Sequence, residues 1–292
     1  MPPPVEDFLM EEIGCKFQSV NFREEFTGRE IIVMRASETI EDVFPDWIKQ
    51  SRLDDHFYLP FDLNVPSKLP RRNNPTESFA ADPPLSEYGK LMAQMFARHL
   101  FSRGAPTNGP ISIYSAPSLA ALQTAHEISH YLKHNCRSIR IDSGVVGNPR
   151  GFDNWLPLPA LTALGFDIDI EYRTSNGAER SESLEDTAER VWKVWTEVAN
   201  DGERHVAVVI TDALAVSILN RECRQLQRLS TNIFTEREKA NEAVPPGSFL
   251  TFTLKKGMFI FHPLRVPALT DINGTNRVDL DDGVDFTPGH AA

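Results

Sequence analysis

Two short segments of this 292-residue chain follow directly on apolar runs and carry groups that could do chemistry. Arg35-Ala36-Ser37-Glu38 comes after Ile31-Ile32-Val33-Met34, and Thr211-Asp212-Ala213 comes after Val206-Ala207-Val208-Val209-Ile210. A guanidinium such as Arg35 can grip two oxygens of an anion at once. The carboxylates of Glu38, Asp153 and Asp212 could take or give a proton. His126, His130 and His134 stand at i, i+4 and i+8, which invites a metal reading. No neighbouring carboxylate or cysteine pattern completes a ligand set, so no metal is assigned. A Gly-rich phosphate loop, a nucleotide fingerprint and a Ser-His-Asp signature are all absent, and no cofactor is implied.

These residues need a frame. Short continuous apolar runs at 31–34 and 206–210 suit buried central strands, and 111–114 and 139–141 read as two more. Helical spacing marks residues 40–48, a helix capped by Ser86 and running to Phe101, another from about Ser118 to Lys133, and an amphipathic helix over 184–199 carrying Val191, Trp192, Trp195 and Val198. A further helix starts at Ala213. Phe249–Leu254 and Met258–Phe261, joined at Lys255-Lys256-Gly257, predict a hairpin. Strands alternating with helices imply a three-layer α/β/α domain with a mostly parallel mixed sheet. In such sheets a site lies beyond the carboxyl ends of the strands, where Arg35 and Asp212 fall.

Three regions stand apart. Residues 1–29 read as an N-terminal arm, in which Val5, Phe8, Leu9 and Ile13 could share a helix face. Residues 51–84 hold six prolines and predict a long irregular insertion. Residues 276–292 are Asp-rich and read as a disordered tail.

The net charge of -11 and pI near 5.2 disfavour nucleic acid and anionic lipid as partners. Three widely spaced cysteines fit a reducing cytosol or nucleus better than a disulfide framework. The first dozen residues lack a signal-peptide pattern, and no apolar stretch approaches the ~20 residues of a membrane span.

Taken with Ser115-Ala116-Pro117-Ser118-Leu119-Ala120-Ala121-Leu122-Gln123-Thr124-Ala125, the two strand-end segments resemble the histidine phosphatase (phosphoglycerate mutase-like) superfamily. Within it the chain resembles the phosphatase domain of the TULA/Sts family, the ubiquitin-associated and SH3 domain-containing proteins. The similarity rests on Val43-Phe44, on Asp62-Leu63-Asn64-Val65-Pro66-Ser67-Lys68-Leu69-Pro70-Arg71-Arg72, on Asp82-Pro83-Pro84-Leu85-Ser86 with Gly89, and on Asp167-Ile168-Asp169-Ile170-Glu171-Tyr172-Arg173. It runs from about Ile31 to Thr275, so the domain is placed at 30–275.

The resemblance implies phosphoryl transfer through a histidine in an Arg-His-Gly motif at the end of the first strand. Two further arginines and a second histidine hold the phosphate, and a carboxylic acid serves the leaving group. Mapped onto this chain, the motif arginine is Arg35, the nucleophile position is Ala36 and the glycine is Ser37. The second arginine becomes Thr39 and the third Ala120. The acid position falls near Gly147, with Asp153 as an alternative, and the second histidine becomes Asp212. An anion at 212 opposes phosphate: at ~4 Å and an effective dielectric near 20, a unit charge costs about 4 kcal/mol.

The sequence therefore predicts a non-catalytic protein that binds a protein partner, with a homodimer implied by the resemblance. Candidate contacts are Arg35, Arg71, Arg72, Tyr172 and Arg173. Altered acid–base chemistry through Asp212, Glu38 or Asp153, and phospho-ligand sensing through Arg35, are the alternatives. Opposite charge on neighbouring strand ends predicts an Arg35–Asp212 pair that closes the site.

Overall fold

A computed structural model describes residues 29–102, 104–105, 109–148, 151–201, 206–224 and 233–262. Apart from Arg29, the expected arm lies outside these residues, as does the whole acidic tail.

The sheet is built from β1 (Glu30–Arg35), β2 (Ser112–Ser115), β3 (Arg140–Ile141), β4 (Ala207–Thr211), β5 (Phe249–Lys255) and β6 (Met258–Phe261), in the order β3-β2-β4-β1-β5-β6. The first four pair in parallel, and β5 and β6 complete the sheet antiparallel. β1 lies between β4 and β5, and Ile31 to Met34 are wholly buried. That burial on both faces is why the run is continuous rather than alternating.

Among the described residues the helices are α1 (Ile40–Val43), α2 (Trp47–Gln50), α3 (Pro75–Ala81), α4 (Glu87–Ser102), α5 (Leu119–Leu132), α6 (Leu158–Ala163), α7 (Leu184–Ala199), α8 (Ala213–Arg224) and α9 (Ile233–Ala243). Side chains alternate across a strand, and β5 shows which helices take which face. Phe249 meets Phe96 of α4, with ring centroids 5.0 Å apart, and Phe252 meets Trp195 of α7 at 5.7 Å. The fold is thus the expected layered α/β/α arrangement.

Local rules account for several element ends. Ser183 caps α7 in a reciprocal capping box with Asp186. Ser86 Oγ accepts from the Gly89 N–H at 2.8 Å, as expected of an N-cap. Position 89 needs a glycine, because a Cβ there would lie 2.1 Å from the Glu38 carbonyl oxygen. That contact packs the start of α4 directly on the loop after β1.

Three expectations change. The helix read over 40–48 is two short helices separated at Phe44–Asp46. Arg29 belongs to the domain, because it donates to the Val198 carbonyl and pairs with Asp201. The insertion at 51–84 is folded. It contains α3 and builds a second apolar cluster in which Leu53, Val65 and Phe79 pack with Ile40, Trp47 and Leu119.

Candidate functional site

Parallel pairing of β1 with β4 sets the site. Arg35 lies opposite Thr211, and the Ala36 N–H donates to the Thr211 carbonyl at 2.8 Å, so the two strand-end segments are neighbours. The Ser37 N–H donates to Thr124 Oγ1 at 3.0 Å, and that hydroxyl donates to the Ala120 carbonyl at 2.8 Å, which brings the first turn of α5 to the same place. The Gly147 N–H reaches Asp212 at 2.7 Å. Positions 35, 36, 37, 120, 147 and 212, scattered over 178 positions of the sequence, are thus brought together.

The expected Arg35–Asp212 pair does not form. Arg35 Nη1 donates to the Val244 carbonyl at 2.6 Å and the Asn241 carbonyl at 3.3 Å, both at the C-terminal end of α9, while Nη2 pairs with Asp42 at 3.3 Å. Helix ends leave carbonyls without intrahelical partners, and a cation is favoured there. Burial lowers the Arg35 pKa, and Asp42 and then Asp212 push it back up, so Asp212 is felt but not bonded. Asp42 also takes the Thr39 N–H at 2.8 Å and hydroxyl at 2.7 Å, closing a capping box at α1.

Asp212 has found different partners. One carboxylate oxygen accepts from the Gly147 N–H at 2.7 Å and the Asn148 N–H at 3.0 Å; the other accepts from the Ala215 N–H at 3.1 Å. The last of these caps α8, where the helix dipole favours an anion. Burial pushes the Asp212 carboxyl above the usual range, and backbone N–H groups of Asn148, Ala215, Gly147 and Leu214 pull it back only in part. Arg237 on α9 is a second guanidinium that feels Asp212. Burial lowers its pKa and Asp212 opposes that.

At the expected acid position no side chain fits without movement. A Cβ on Gly147 would lie 2.4 Å from the Ala215 nitrogen and 2.7 Å from Asp212 Oδ1. Asp153 is exposed and paired with Arg180. Glu38 is buried, accepting from Ser86 Oγ at 2.6 Å and Asn64 Nδ2 at 3.2 Å.

The remaining candidates do not join the cluster. Arg71 is exposed. Arg72 is a structural residue: its guanidinium pairs with Asp82 at 2.7 Å, donates to the Asn154 carbonyl and lies over the Phe79 ring, with both paired side chains 2% exposed. Asp82 in turn accepts from the Leu119 N–H at 2.7 Å, so the pair ties the insertion to the start of α5. Tyr172 donates to Asp142 at 2.5 Å and packs edge-on against Tyr114. Burial, with Asp142, raises its pKa. Arg173 folds back on the carbonyls of Ile170 and Tyr172. His126 stacks on His130 and packs on Phe166.

Sequence reasoning missed Asp42, Asn148 and Arg237 as members of the site. Asp42 was findable, since Thr39-x-x-Asp42 is a capping-box pattern. Arg237 carries no such local signal.

No protein-family model matches the chain. It is 32% identical over 152 residues to the ubiquitin-associated and SH3 domain-containing protein A of Mus musculus, a match covering 50% of this chain and 24% of that protein. With the ecdysteroid-phosphate phosphatase of Drosophila melanogaster it shares 28% over 172 residues, covering 57% and 22%. With the human ubiquitin-associated and SH3 domain-containing protein B it shares 27% over 212 residues, covering 68% and 32%. The chain therefore spans between a fifth and a third of the length of these curated relatives. The crystal structure of the Bombyx mori ecdysone phosphate phosphatase with tungstate superimposes with a TM-score of 0.66 at 17% identity, covering 84% of this chain and 96% of that one. The chain thus has the histidine phosphatase, phosphoglycerate mutase-like fold, with the ubiquitin-associated and SH3 domain-containing proteins and the ecdysteroid-phosphate phosphatases as its relatives in sequence.

Proposed function

We propose that this chain is a non-catalytic member of the histidine-phosphatase fold that works by binding a protein partner. The observation that carries the reading is the Asp212 carboxylate seated on the backbone N–H groups of Gly147, Asn148 and Ala215. Phosphoryl transfer needs donors and cations free to meet charge that develops in transit. Here an internal anion uses the donors, and Arg35 is committed to Asp42 and the end of α9. Ala36 has no lone pair for attack, at the position where the resemblance places the nucleophile.

The same bonding weighs against both rival readings. Glu38 and Asp212 are committed within the fold and Asp153 to Arg180, which disfavours acid–base chemistry. Arg35 already spends Nη1 on two carbonyls and Nη2 on Asp42, which weighs against phospho-ligand sensing. A reducing compartment suits the free thiols of Cys136 and Cys223, and homodimerisation is part of the proposal through the TULA/Sts resemblance.

Purified chain is assayed with an aryl phosphate, a phosphotyrosine peptide and a steroid phosphate, and probed for acid-labile phosphohistidine. No turnover and no covalent phospho-enzyme are expected. Turnover abolished by Asp212→Asn or Arg35→Met would overturn the reading.

A further inference from the structure

The insertion leaves a surface groove that the strand-end site does not use. Its volume is about 450 Å³, and it runs along residues 60–67 to the start of α4. Pro60, Phe61, Leu63 and Val65 supply its apolar wall, and Asp62 and Glu87 its charge. Leu63 is 97% exposed, and Phe57 and Leu59 are exposed close by in sequence. A single exposed apolar residue is ordinary, but Leu63 lines the groove together with Pro60, Phe61 and Val65, and contiguous apolar surface marks interaction sites.

The segment that presents them is held in shape. Tyr58 Oη donates to the Pro66 carbonyl at 2.6 Å, and the Leu59 N–H to the Ser51 carbonyl at 2.9 Å. Asn64 accepts from the N–H groups of Glu87 and Tyr88 and donates to Glu38. A surface ordered before binding loses little further entropy when a ligand arrives.

Charge then selects the occupant. The charged residues that line the groove, Asp62 and Glu87, are both acidic. Lys90 pairs with one oxygen of Glu87 at 2.7 Å, an exposed pair that is weak and easily exchanged. We infer that this groove docks a peptide segment of a partner protein presenting an arginine or lysine flanked by apolar side chains. Leu63 and its neighbours would cover the apolar groups, and Asp62 and Glu87 would take the cation, steering it in at low salt. The inference rests on the partner-binding reading and gives that partner a chemistry.

The full chain is panned against a random dodecapeptide display library, and enriched peptides are synthesised and titrated against wild type, Leu63→Ser and the double variant Asp62→Asn, Glu87→Gln. Enrichment of basic–apolar sequences is expected, with affinity at least about tenfold weaker for each variant, a loss of ~1.4 kcal/mol. The double variant should also lose most of the salt dependence. Both variants should fold. Leu63 is outside every core cluster, and Asp62→Asn keeps a side-chain oxygen to accept the Asn64 N–H. No enrichment, acidic or uncharged sequences, or selected peptides that bind the variants as they bind wild type would each overturn the inference. So would sedimentation in which Leu63→Ser turns a dimer into a monomer, because a second copy would then cover the face. Such a failure without phosphatase turnover leaves the non-catalytic reading standing; turnover with groove binding intact sinks that reading alone.

Discussion

The strand-end site and the Pro-rich insertion use the same kinds of residue to opposite effect. At the strand ends, Arg35 and Asp212 each make three hydrogen bonds inside the fold. In the insertion, polar groups are satisfied in the same way, by Arg72 with Asp82 and by Asn64 with α4 and Glu38, but apolar area is left in solvent at Leu63. A buried donor already paired has nothing further to offer a ligand, whereas exposed apolar surface still gains about 25 cal/mol for each Å² covered. On the proposed reading, the strand-end site therefore has less to offer a partner than the exposed apolar surface of the insertion.

The largest test of this contrast is Arg72→Met. Removing one partner of a buried pair leaves Asp82 a buried charge without its cation and should cost about 3–5 kcal/mol in denaturant unfolding. A loss within ~0.5 kcal/mol would mean the insertion is only loosely fastened, and its groove not preformed.

Asp212 should give an intermediate effect. Asp212→Ala removes the α8 cap and should cost about 0.5–2 kcal/mol. Asp212→Asn separates the charge from the shape. The folded pKa of Asp212 is raised above its ordinary value of 3.8. Its contribution is therefore most favourable below the unfolded pKa and is lost as pH rises through the folded value. Relative to wild type, the Asn variant should gain stability across that window. A stability difference that stays flat with pH would show that the N–H groups fully offset burial, and would make Asp212 a stronger built-in anion than its burial implies.

The smallest effect is expected at the groove. Leu63→Ser should move the unfolding free energy by no more than about 0.5 kcal/mol, as at any exposed position. A larger loss would place Leu63 in the fold and remove the contrast between the two regions.

Much of the frame was legible because it is written in local patterns. The apolar runs of β1 and β4, the 3.6-residue period of α7 and the Lys256-Gly257 turn each carry their own signal. The short α6 begins at Leu158-Pro159, just after Pro157, and is too brief to show a period, and α9 is dominated by polar residues. Both were missed for want of an apolar stripe. The site was legible as a set of positions through resemblance, but its bonding was not. The sequence makes Arg72 a candidate contact beside Arg71, since nothing at positions 71 and 72 distinguishes the exposed arginine from the buried one.

The sequence by itself determined that the chain folds as a layered α/β domain and that Ala36 and Asp212 stand where a phosphatase resemblance calls for histidines. Side-chain type and period fix the first; the second is what the resemblance implies. Only the tertiary structure decided which charges meet: Arg35 with Asp42 and the end of α9, Asp212 with three backbone N–H groups, Arg72 with Asp82. Opposite charges on neighbouring strands attract at any register, but the bonds that form are those whose donors and acceptors would otherwise be buried unpaired.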